Sequence, residues 1–435
     1  MPVRGNVPAY YARGMLRSLW DVFAADRVDH ADLQHIIQRH FRSGSQPAKR
    51  VVIYPGDEPH AIKLRFAKDD RLTHIEAGPA LTPETEAAII RAITDALTPT
   101  EPRVVRQVLF AAHKLTGCWR YKDRFQLTPV PPEAPQLNCL VGDHPFILET
   151  KIAGSKDGFL TSRRAGQALR ESELLLAGLI NTGVHQLPAR PWHGYWVLLP
   201  DDGHKTAYLM PGYHYPMPQS PDFTDITASA PLRPPFEMFG PYGMTAGAPF
   251  TMPDNLSETL DTYYALPPST RQRFVRSCYW LQYANHAFLH SSSSAFMAVV
   301  TAAEVLFPPP PTERCTTCGQ QQYRLRSAFA RLLDHSLTLL TSHRVGEDRA
   351  IETRLKHLYD TRSSITHGSD LRGWDIVSEF TPRGSQDDDD LRTLLRITPY
   401  TLAQWLREQD TIPRVELSGV KKNNARIQRR QVIEL

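Results

Sequence analysis

Ten prolines between residues 211 and 253 constrain the fold of this chain more than any other feature. Proline lacks a backbone N–H and fixes φ, so at this density we expect neither a helix nor a central strand. We therefore expect an extended linker or a long wrapping loop, and we place the main domain boundary at this segment. Residues 1–210 then form one region, residues 254–410 a second, and residues 411–435 a tail.

The first region is expected to fold as α+β. Ile62, Leu64 and Phe66 alternate with basic residues before the turn-like KDDR, which predicts a half-buried hairpin. Thr82 suits an N-cap and Pro83 suits the first turn of the helix that follows. Helices are also expected at 31–42 and 163–180, and strands at 104–110, 117–127, 145–152 and 195–200.

The second region is predicted to be a helical bundle. Apolar residues recur there at helical spacing, for example at Ile351, Leu355 and Leu358. Short breaks separate most of the expected helices, which cover 256–266, 269–288, 293–307, 322–342, 347–366 and 389–408. The predicted fold class is an α+β region followed by an all-α bundle.

Size and composition leave several function classes open. The 435 residues exceed one compact core, and 50 basic against 46 acidic residues give a formal charge of +4, which is compatible with a polyanionic partner. Five cysteines, an odd number, do not suggest a disulfide framework. No apolar stretch approaches the roughly 20 residues that span a bilayer, and the start MPVRGNVPAY resembles no signal peptide. We expect a cytoplasmic protein with no membrane contact.

Arg362 occupies an apolar stripe, four residues after Leu358 and three before Ile365. A guanidinium keeps its charge at ordinary pH, and burying it unpaired is unfavourable. Arg362 is therefore expected either to pair with a carboxylate or to face a cleft that binds an anion. Glu304, at the margin of the apolar face of an earlier helix, is the expected partner, either in a permanent ion pair or holding Arg362 in one rotamer.

His367 follows where this helix should end. Gly368 suits a left-handed C-cap, and the carbonyl end of a helix favours an imidazolium. Five residues of helix correspond to roughly 140° of rotation, so Arg362 and His367 do not share one regular face. Their joint use would need a cleft at the helix end or a second subunit.

The segments LYDTRSSITHG (358–368) and FMAVVTAAEVLF (296–307) together resemble the Apea-like branch of the HEPN superfamily. That superfamily is marked by an Arg-x4-His type motif near the end of a helix in a helical bundle. The resemblance covers about residues 255–410 and includes the Tyr-x-x-Arg-Ser lead, the terminal His-Gly and the Ala-x-Glu-x-Leu helix. It implies a HEPN helical bundle and a metal-independent endoribonuclease.

By this resemblance, Arg362 would stabilise the phosphate being cleaved, His367 would move protons, and Ser363 would assist. The residue types fit, because histidine titrates near neutrality and arginine matches phosphate oxygens in charge and shape. No cofactor is required when the nucleophile is the 2′-hydroxyl of the substrate, which must then be RNA. Glu304 and Asp360 are expected either to aid catalysis or to orient Arg362 and pack the helix, and Tyr359 to lie in the core.

The resemblance also implies partners. HEPN proteins pair two such helices about a two-fold axis, so we expect a homodimer through this bundle. The N-terminal region would bind a trigger and restrain the nuclease, as in bacterial phage defence or toxin-like growth arrest. The alternative is a non-catalytic HEPN module for dimerisation or nucleic-acid binding.

A structural zinc site is a further hypothesis. Cys315 and Cys318 have the spacing of a zinc knuckle, and His286 and His290 have the i, i+4 spacing that places two ligands on one helix face. A zinc ion needs four ligands, which either the two histidines or a second knuckle across a dimer would complete. Two exposed thiols in an inserted loop are the alternative.

The C-terminal tail is basic. It could hold an RNA backbone electrostatically, or it could be a disordered, solubilising tail. The residues concerned are Lys421, Lys422, Arg426, Arg429 and Arg430.

Overall fold

The fold is taken from a computed structural model of the chain. It describes residues 18–23, 25, 28–41, 43–56, 59–67, 72–132, 134, 136–137, 144–180, 183–186, 195–199, 206–210, 221–239, 248–288, 290–307, 325–341, 349–368, 371, 375 and 386–411.

The chain divides into two compact units. Unit 1 comprises residues 1–105, 150–168 and 219–223, and unit 2 comprises residues 106–149, 169–218 and 224–435. Each unit has its own cluster of buried apolar side chains. This division differs from the boundary expected at residues 211–253, because the chain passes between the units several times before it reaches that segment.

In its described residues, unit 1 contains a four-stranded antiparallel sheet and two complete helices. The strands β1 to β4 follow one another in the order β1-β2-β3-β4, at Ser45–Ala48, Val51–Tyr54, Ile62–Phe66 and Leu72–Ala77. The hairpin predicted after residue 62 is confirmed, with Leu64 paired to Ile75 and both side chains buried. Helix α1 is His30–Arg39 and helix α2 is Pro83–Leu97.

Local sequence explains where both helices begin. The Asp29 carboxylate accepts hydrogen bonds from the first backbone N–H groups of α1. The Thr82 hydroxyl accepts from the N–H of Thr85, and Pro83 stands in the first turn of α2, as predicted. Buried Ile89 and Ile93 then place one face of α2 in the core of unit 1.

A second four-stranded sheet has the order β5-β9-β7-β6. The strands are β5 (Pro99–Ala111), β6 (Trp119–Tyr121), β7 (Phe125–Pro129) and β9 (His144–Ser155). Strands β5 and β9 each continue from one unit into the other, as does helix α3 (Gly158–Leu179). The strands expected at 104–110 and 145–152 lie within β5 and β9.

Smaller sheets complete the β-structure of unit 2. Strands β11 (Thr206–Met210), β10 (Tyr195–Leu199) and β8 (Gln136–Leu137) form an antiparallel sheet, and β12 (Leu232–Arg233) pairs in parallel with β13 (Met252–Pro253).

The proline-rich segment contains no long element among its described residues, as expected, but the prediction of no helix at all is wrong. A short helix, α4, spans Pro235–Phe239. It can form because proline is tolerated in the first turn, where its missing N–H would have no intrahelical partner. Met238, Phe239 and Phe250 are buried in the core of unit 2, so this part of the segment wraps that core.

Among the described residues, six longer helices follow in unit 2 at the places that the sequence predicts. They are α5 (Leu256–Ala265), α6 (Pro268–Ala287), α7 (Ser292–Glu304), α8 (Leu325–Thr341), α9 (Arg349–Thr366) and α10 (Gln386–Thr411). Helices α6 and α7 pack against each other, α8 packs on α9, and α10 contacts α5, α6, α7 and α8.

These helices share one core with strands and with α3. Leu109, Phe125 and Phe146 from the strands are buried in the same cluster as Phe296 and Leu358 from the helices. The observed class is therefore mixed α+β, and the all-α bundle expected for residues 254–410 is not confirmed as a separate domain.

Helices α3 and α6 approach closely at one glycine. A Cβ added to Gly178 would lie 2.3 Å from Sγ of Cys278, which is fully buried. Only glycine leaves room for this contact, and burial raises the pKa of the Cys278 thiol. Cys278 is thus a packing residue, as expected for a cysteine inside an apolar core.

Candidate active site

Arg362 lies on the inward stripe of α9. Leu355, Leu358 and Ile365 on this stripe are buried, while Arg362 keeps 26% of its side-chain surface accessible. Helix α9 packs against both α7 and α8. The guanidinium therefore reaches the edge of the core with part of its surface still open to solvent.

Glu304, the last residue of α7, is the partner of Arg362. Nη2 of Arg362 donates to Oε2 of Glu304 over 3.1 Å, and only 13% of the Glu304 side chain is accessible. The predicted pairing is confirmed. Nε of Arg362 is buried and has no hydrogen-bond partner, so Glu304 satisfies the guanidinium only in part.

Tyr359 adds a second donor to Glu304. Burial, the hydrogen bond to Glu304 and the negative charge of that residue together raise the pKa of Tyr359 to about 12, against an opposing effect of Arg362. The Tyr359 ring packs against Phe329 of α8 at a centroid distance of 5.7 Å. Glu304 thus binds both a cation and a neutral phenol, which fixes its own position.

His367 lies just beyond the end of α9 and is exposed. Its backbone N–H donates to the carbonyl of Ser363, and that of Gly368 donates to the carbonyl of Ile365, each over 3.0 Å. Gly368 has a φ of +70°, so the predicted left-handed C-cap is confirmed. The imidazole makes no hydrogen bond or ion pair with any residue that the structure describes.

Asp360 and Ser363 are the two remaining candidate residues of α9 near Arg362 in sequence. Asp360 pairs with Arg326 of α8, and both side chains are about half exposed. Asp360 is therefore not a partner of Arg362, and an exposed pair of this kind contributes little to stability. Ser363 is half-buried, one position after Arg362 on the helix.

Asp375, which contacts the start of α7, is a residue that sequence reasoning missed. Its carboxylate accepts from the backbone N–H groups of Ser292 (2.7 Å) and Ser293 (2.8 Å) and from the hydroxyl of Ser291 (3.1 Å), at the start of α7. Partial burial alone would raise the pKa of Asp375, but these hydrogen bonds outweigh it and hold the pKa below its usual range. The run of four serines was the available signal, because serine favours helix N-termini.

Of the four predicted zinc ligands, the structure describes His286 and His290, and these two do not form the expected pair. Helix α6 ends at Ala287, so His290 lies in the turn beyond it, and the predicted i, i+4 helical pair with His286 is wrong. The His286 ring instead packs edge-to-face on His185 at 4.9 Å. Cys315 and Cys318 lie outside the described residues. Within the described residues, no three His, Cys, Asp or Glu side chains are grouped so that they could hold a metal ion.

The remaining candidates are placed as follows. The basic residues expected to contact RNA from the tail, at 421–430, lie outside the described part of the chain, which ends at Thr411. Among the helices that the structure describes, none combines the length and the apolarity that a bilayer crossing requires.

Unit 1 contains a shallow groove of about 340 Å³, in the region expected to bind a trigger. The guanidinium of Arg39 lies 4.9 Å from the centre of the Phe159 ring and pairs with Asp157. Burial, followed by the charge of Arg163, lowers the pKa of His35 in this groove. The groove therefore offers an aromatic face and a neutral imidazole, while its arginine is already engaged by a carboxylate.

Comparisons with known proteins do not assign this chain. No protein-family model matches it, and neither a curated protein nor a solved structure matches it. The likeness to the HEPN superfamily thus rests on the motif residues themselves and stays a prediction.

Proposed function

We propose that this chain is a metal-independent endoribonuclease of HEPN type, with Arg362 and His367 as its catalytic residues. The observation that carries the proposal is the partial satisfaction of Arg362. Glu304 holds the guanidinium through Nη2 alone, and 26% of the Arg362 side chain remains accessible, whereas the unpaired Nε is itself buried. An arginine that is held in place with donors left over is suited to bind the oxygens of a phosphodiester.

The proposed reaction needs only groups of the RNA and the protein. The 2′-oxygen attacks the adjacent phosphorus, its proton passes to an imidazole, and the bond from phosphorus to the 5′-oxygen breaks. A second proton goes to the leaving 5′-oxygen, so the products carry a 2′,3′-cyclic phosphate and a 5′-hydroxyl. Arg362 stabilises the negative charge that accumulates on the phosphate oxygens in the transition state. The exposed imidazole of His367 is free to exchange protons with solvent between turnovers.

A two-fold dimer supplies what one chain lacks. Each chain brings one His367, whereas the reaction uses one proton acceptor and one proton donor. Two copies of the end of α9 around one axis would place two Arg/His sets in one cleft. Mixing Arg362→Ala subunits with His367→Ala subunits tests this arrangement. Partial recovery of cleavage in the mixture is expected, and no recovery at concentrations that form mixed dimers would refute a shared site.

The central experiment compares wild type with His367→Ala on structured RNA in EDTA, with and without candidate triggers. Cleavage by wild type alone, leaving 2′,3′-cyclic phosphate or 3′-phosphate ends, supports the proposal. His357→Ala is a matched control, because His357 is exposed on the same helix and lies outside the motif. Cleavage should survive in this control. Equal behaviour of wild type and His367→Ala under every trigger would refute the nuclease.

The second candidate is a non-catalytic HEPN module that dimerises or docks nucleic acid. The observation that favours it is the same ion pair, since a permanent bond between Arg362 and Glu304 would leave no role for the guanidinium beyond packing. In that case Arg362→Lys should impair stability but leave RNA binding unchanged. Arg354→Lys, at another arginine of α9 that pairs with a buried carboxylate (Asp390), is the matched control for stability.

A further inference from the structure

Helix α6 carries a stripe of basic and aromatic side chains that lies outside the motif, and one of its members, Trp280, also packs against the core of unit 2. We call it the α6 stripe. Its members recur at three- and four-residue spacing, which places them on one face of the helix, and they are Arg273, Arg276, Tyr279, Trp280 and Tyr283. From Arg273 to Tyr283 the stripe extends over roughly 15 Å, at about 1.5 Å per residue.

The stripe is positively charged, and among the described residues nothing pairs with its two arginines. No Asp or Glu occurs in the whole of α6. Arg276 is exposed and Arg273 half-buried, and neither forms an ion pair or a hydrogen bond with any other residue in the described ranges. Two guanidinium groups one turn apart are thus available to a polyanion.

The aromatic part of the stripe is open to solvent. Tyr279 is 44% exposed and Tyr283 is 45% exposed, which places both among the most exposed large side chains of the described chain. Trp280 lies between them and contacts each ring edge-to-face, at centroid distances of 5.6 and 5.9 Å. This packing restrains both tyrosine rings while leaving surface of each exposed.

We infer that the α6 stripe binds single-stranded RNA, with bases stacked on Tyr279 and Tyr283 and phosphates bound by the two arginines. Base stacking on aromatic rings beside a positively charged track is the way proteins hold single strands without reading sequence. A second copy of the chain is a poorer occupant, because a symmetric contact through this face would bring unpaired arginines together. The inference rests on the proposed function in taking RNA as the substrate, and it adds the surface that holds the strand.

The test measures binding of a fluorescent single-stranded oligonucleotide to the full chain by anisotropy, with His367→Ala as the background so that the RNA stays intact. Adding Tyr279→Ala and Tyr283→Ala together is expected to weaken the affinity by roughly 30-fold or more, because each stacked base contributes a factor of roughly 5 or more. Both side chains are exposed, so the fold should tolerate the change, and circular dichroism checks this. Phe236→Ala, which removes an exposed ring elsewhere in unit 2, is the matched control and should bind as the background does.

Arg276→Gln tests the electrostatic part. Each phosphate contact that is lost should reduce the slope of log affinity against log salt concentration by about 0.7 for a single strand. Arg331→Gln, at an exposed arginine of α8, should leave the slope unchanged. Unchanged affinity in the tyrosine variant together with an unchanged slope in Arg276→Gln would overturn the inference. So would dissociation of a dimer by the same substitutions with RNA affinity intact, since the stripe would then contact a second copy.

Failure of this inference is distinguishable from failure of the nuclease. If the α6 stripe binds RNA but the protein with His367 intact never cleaves it, the nuclease assignment is refuted and the RNA-binding role of the stripe is supported. If wild type cleaves RNA and the tyrosine variant cleaves it with an unchanged KM, the RNA-binding role of the stripe is refuted and the nuclease assignment is supported.

Discussion

Replacing Glu304 by glutamine removes the carboxylate that holds Arg362 and keeps the shape of the side chain. Two effects are expected from this one change. The free energy of unfolding falls, because a largely buried guanidinium loses its counter-charge. The affinity for RNA rises, because a phosphate no longer competes with Glu304 for Arg362 and no longer meets a negative charge beside it.

The magnitude follows from the geometry of the pair. Unit charges about 4 Å apart attract by ~1 kcal/mol in water and ~4 kcal/mol at the effective dielectric of a protein surface. With Arg362 26% and Glu304 13% accessible, the pair lies between these limits, and solvent screening and desolvation offset part of the attraction. We expect a coupling energy of ~1–2 kcal/mol, which corresponds to roughly 5- to 30-fold in RNA affinity if the phosphate replaces the carboxylate.

The assay is a double-mutant cycle. Urea unfolding of wild type, Glu304→Gln, Arg362→Met and the double variant gives the coupling energy between the two side chains. RNA affinity is measured for the same four proteins in the His367→Ala background. Glu304→Gln should bind more tightly than its background only while Arg362 is present, and the double variant should show no gain.

Two results would refute this reasoning. A coupling energy within the additivity error of about 0.3–0.5 kcal/mol would mean that the observed contact does not hold Arg362 in solution. A substantial coupling energy with no gain in RNA affinity for Glu304→Gln would mean that Arg362 is a structural partner of Glu304 and does not bind phosphate. The second result would favour the non-catalytic module.

Other parts of unit 2 give independent predictions. The hydrogen bond to Glu408 raises the pKa of His335, so the stabilisation from this pair should be full below the unfolded pKa and lost as pH rises through the folded pKa. The difference in unfolding free energy between wild type and His335→Gln should therefore be larger at pH 5.5 than at pH 8.5, which lie roughly one unit below and two units above the ordinary histidine pKa. A difference that does not depend on pH would contradict this prediction. Gly178→Ala should destabilise by about 1–3 kcal/mol in thermal unfolding because its Cβ meets Cys278, and Cys278→Ala should recover part of this loss; full additivity would argue against the contact. Asp375→Ala should lower the unfolding free energy by about 0.5–2 kcal/mol through loss of the cap on α7, and a neutral effect would show that the cap does not form.

Sequence reasoning predicted local structure and one long-range contact. Three local features were predictable because each depends on a few neighbouring residues. They are the hairpin after Ile62, the cap at Thr82 and the helix end at Gly368. The pairing of Arg362 with Glu304 was predictable although the residues are far apart in sequence. Arg362 interrupts one apolar stripe, Glu304 lies at the margin of another, and a buried charge requires a counter-charge.

What sequence reasoning missed depends on tertiary packing. The shared core of strands and helices follows from the order of strands in the sheets, which no local pattern encodes. The pair of His286 and His290 fails because the backbone turns after Ala287, and helix ends are set by packing as well as by propensity. Asp375 reaches the start of α7 across a long stretch of chain, and no periodicity marks it.

The backbone conformation of Gly368 affects the orientation of the neighbouring His367 imidazole. A Cβ there would meet no atom of the described residues within 4 Å. The backbone of Gly368 is left-handed, however, and this conformation disfavours L-side chains by about 1–2 kcal/mol. Substitution of Gly368 would extend or unwind the last turn of α9 and so change the orientation of the His367 ring. The proton transfer proposed for that ring would thus depend on a neighbour that has no side chain at all.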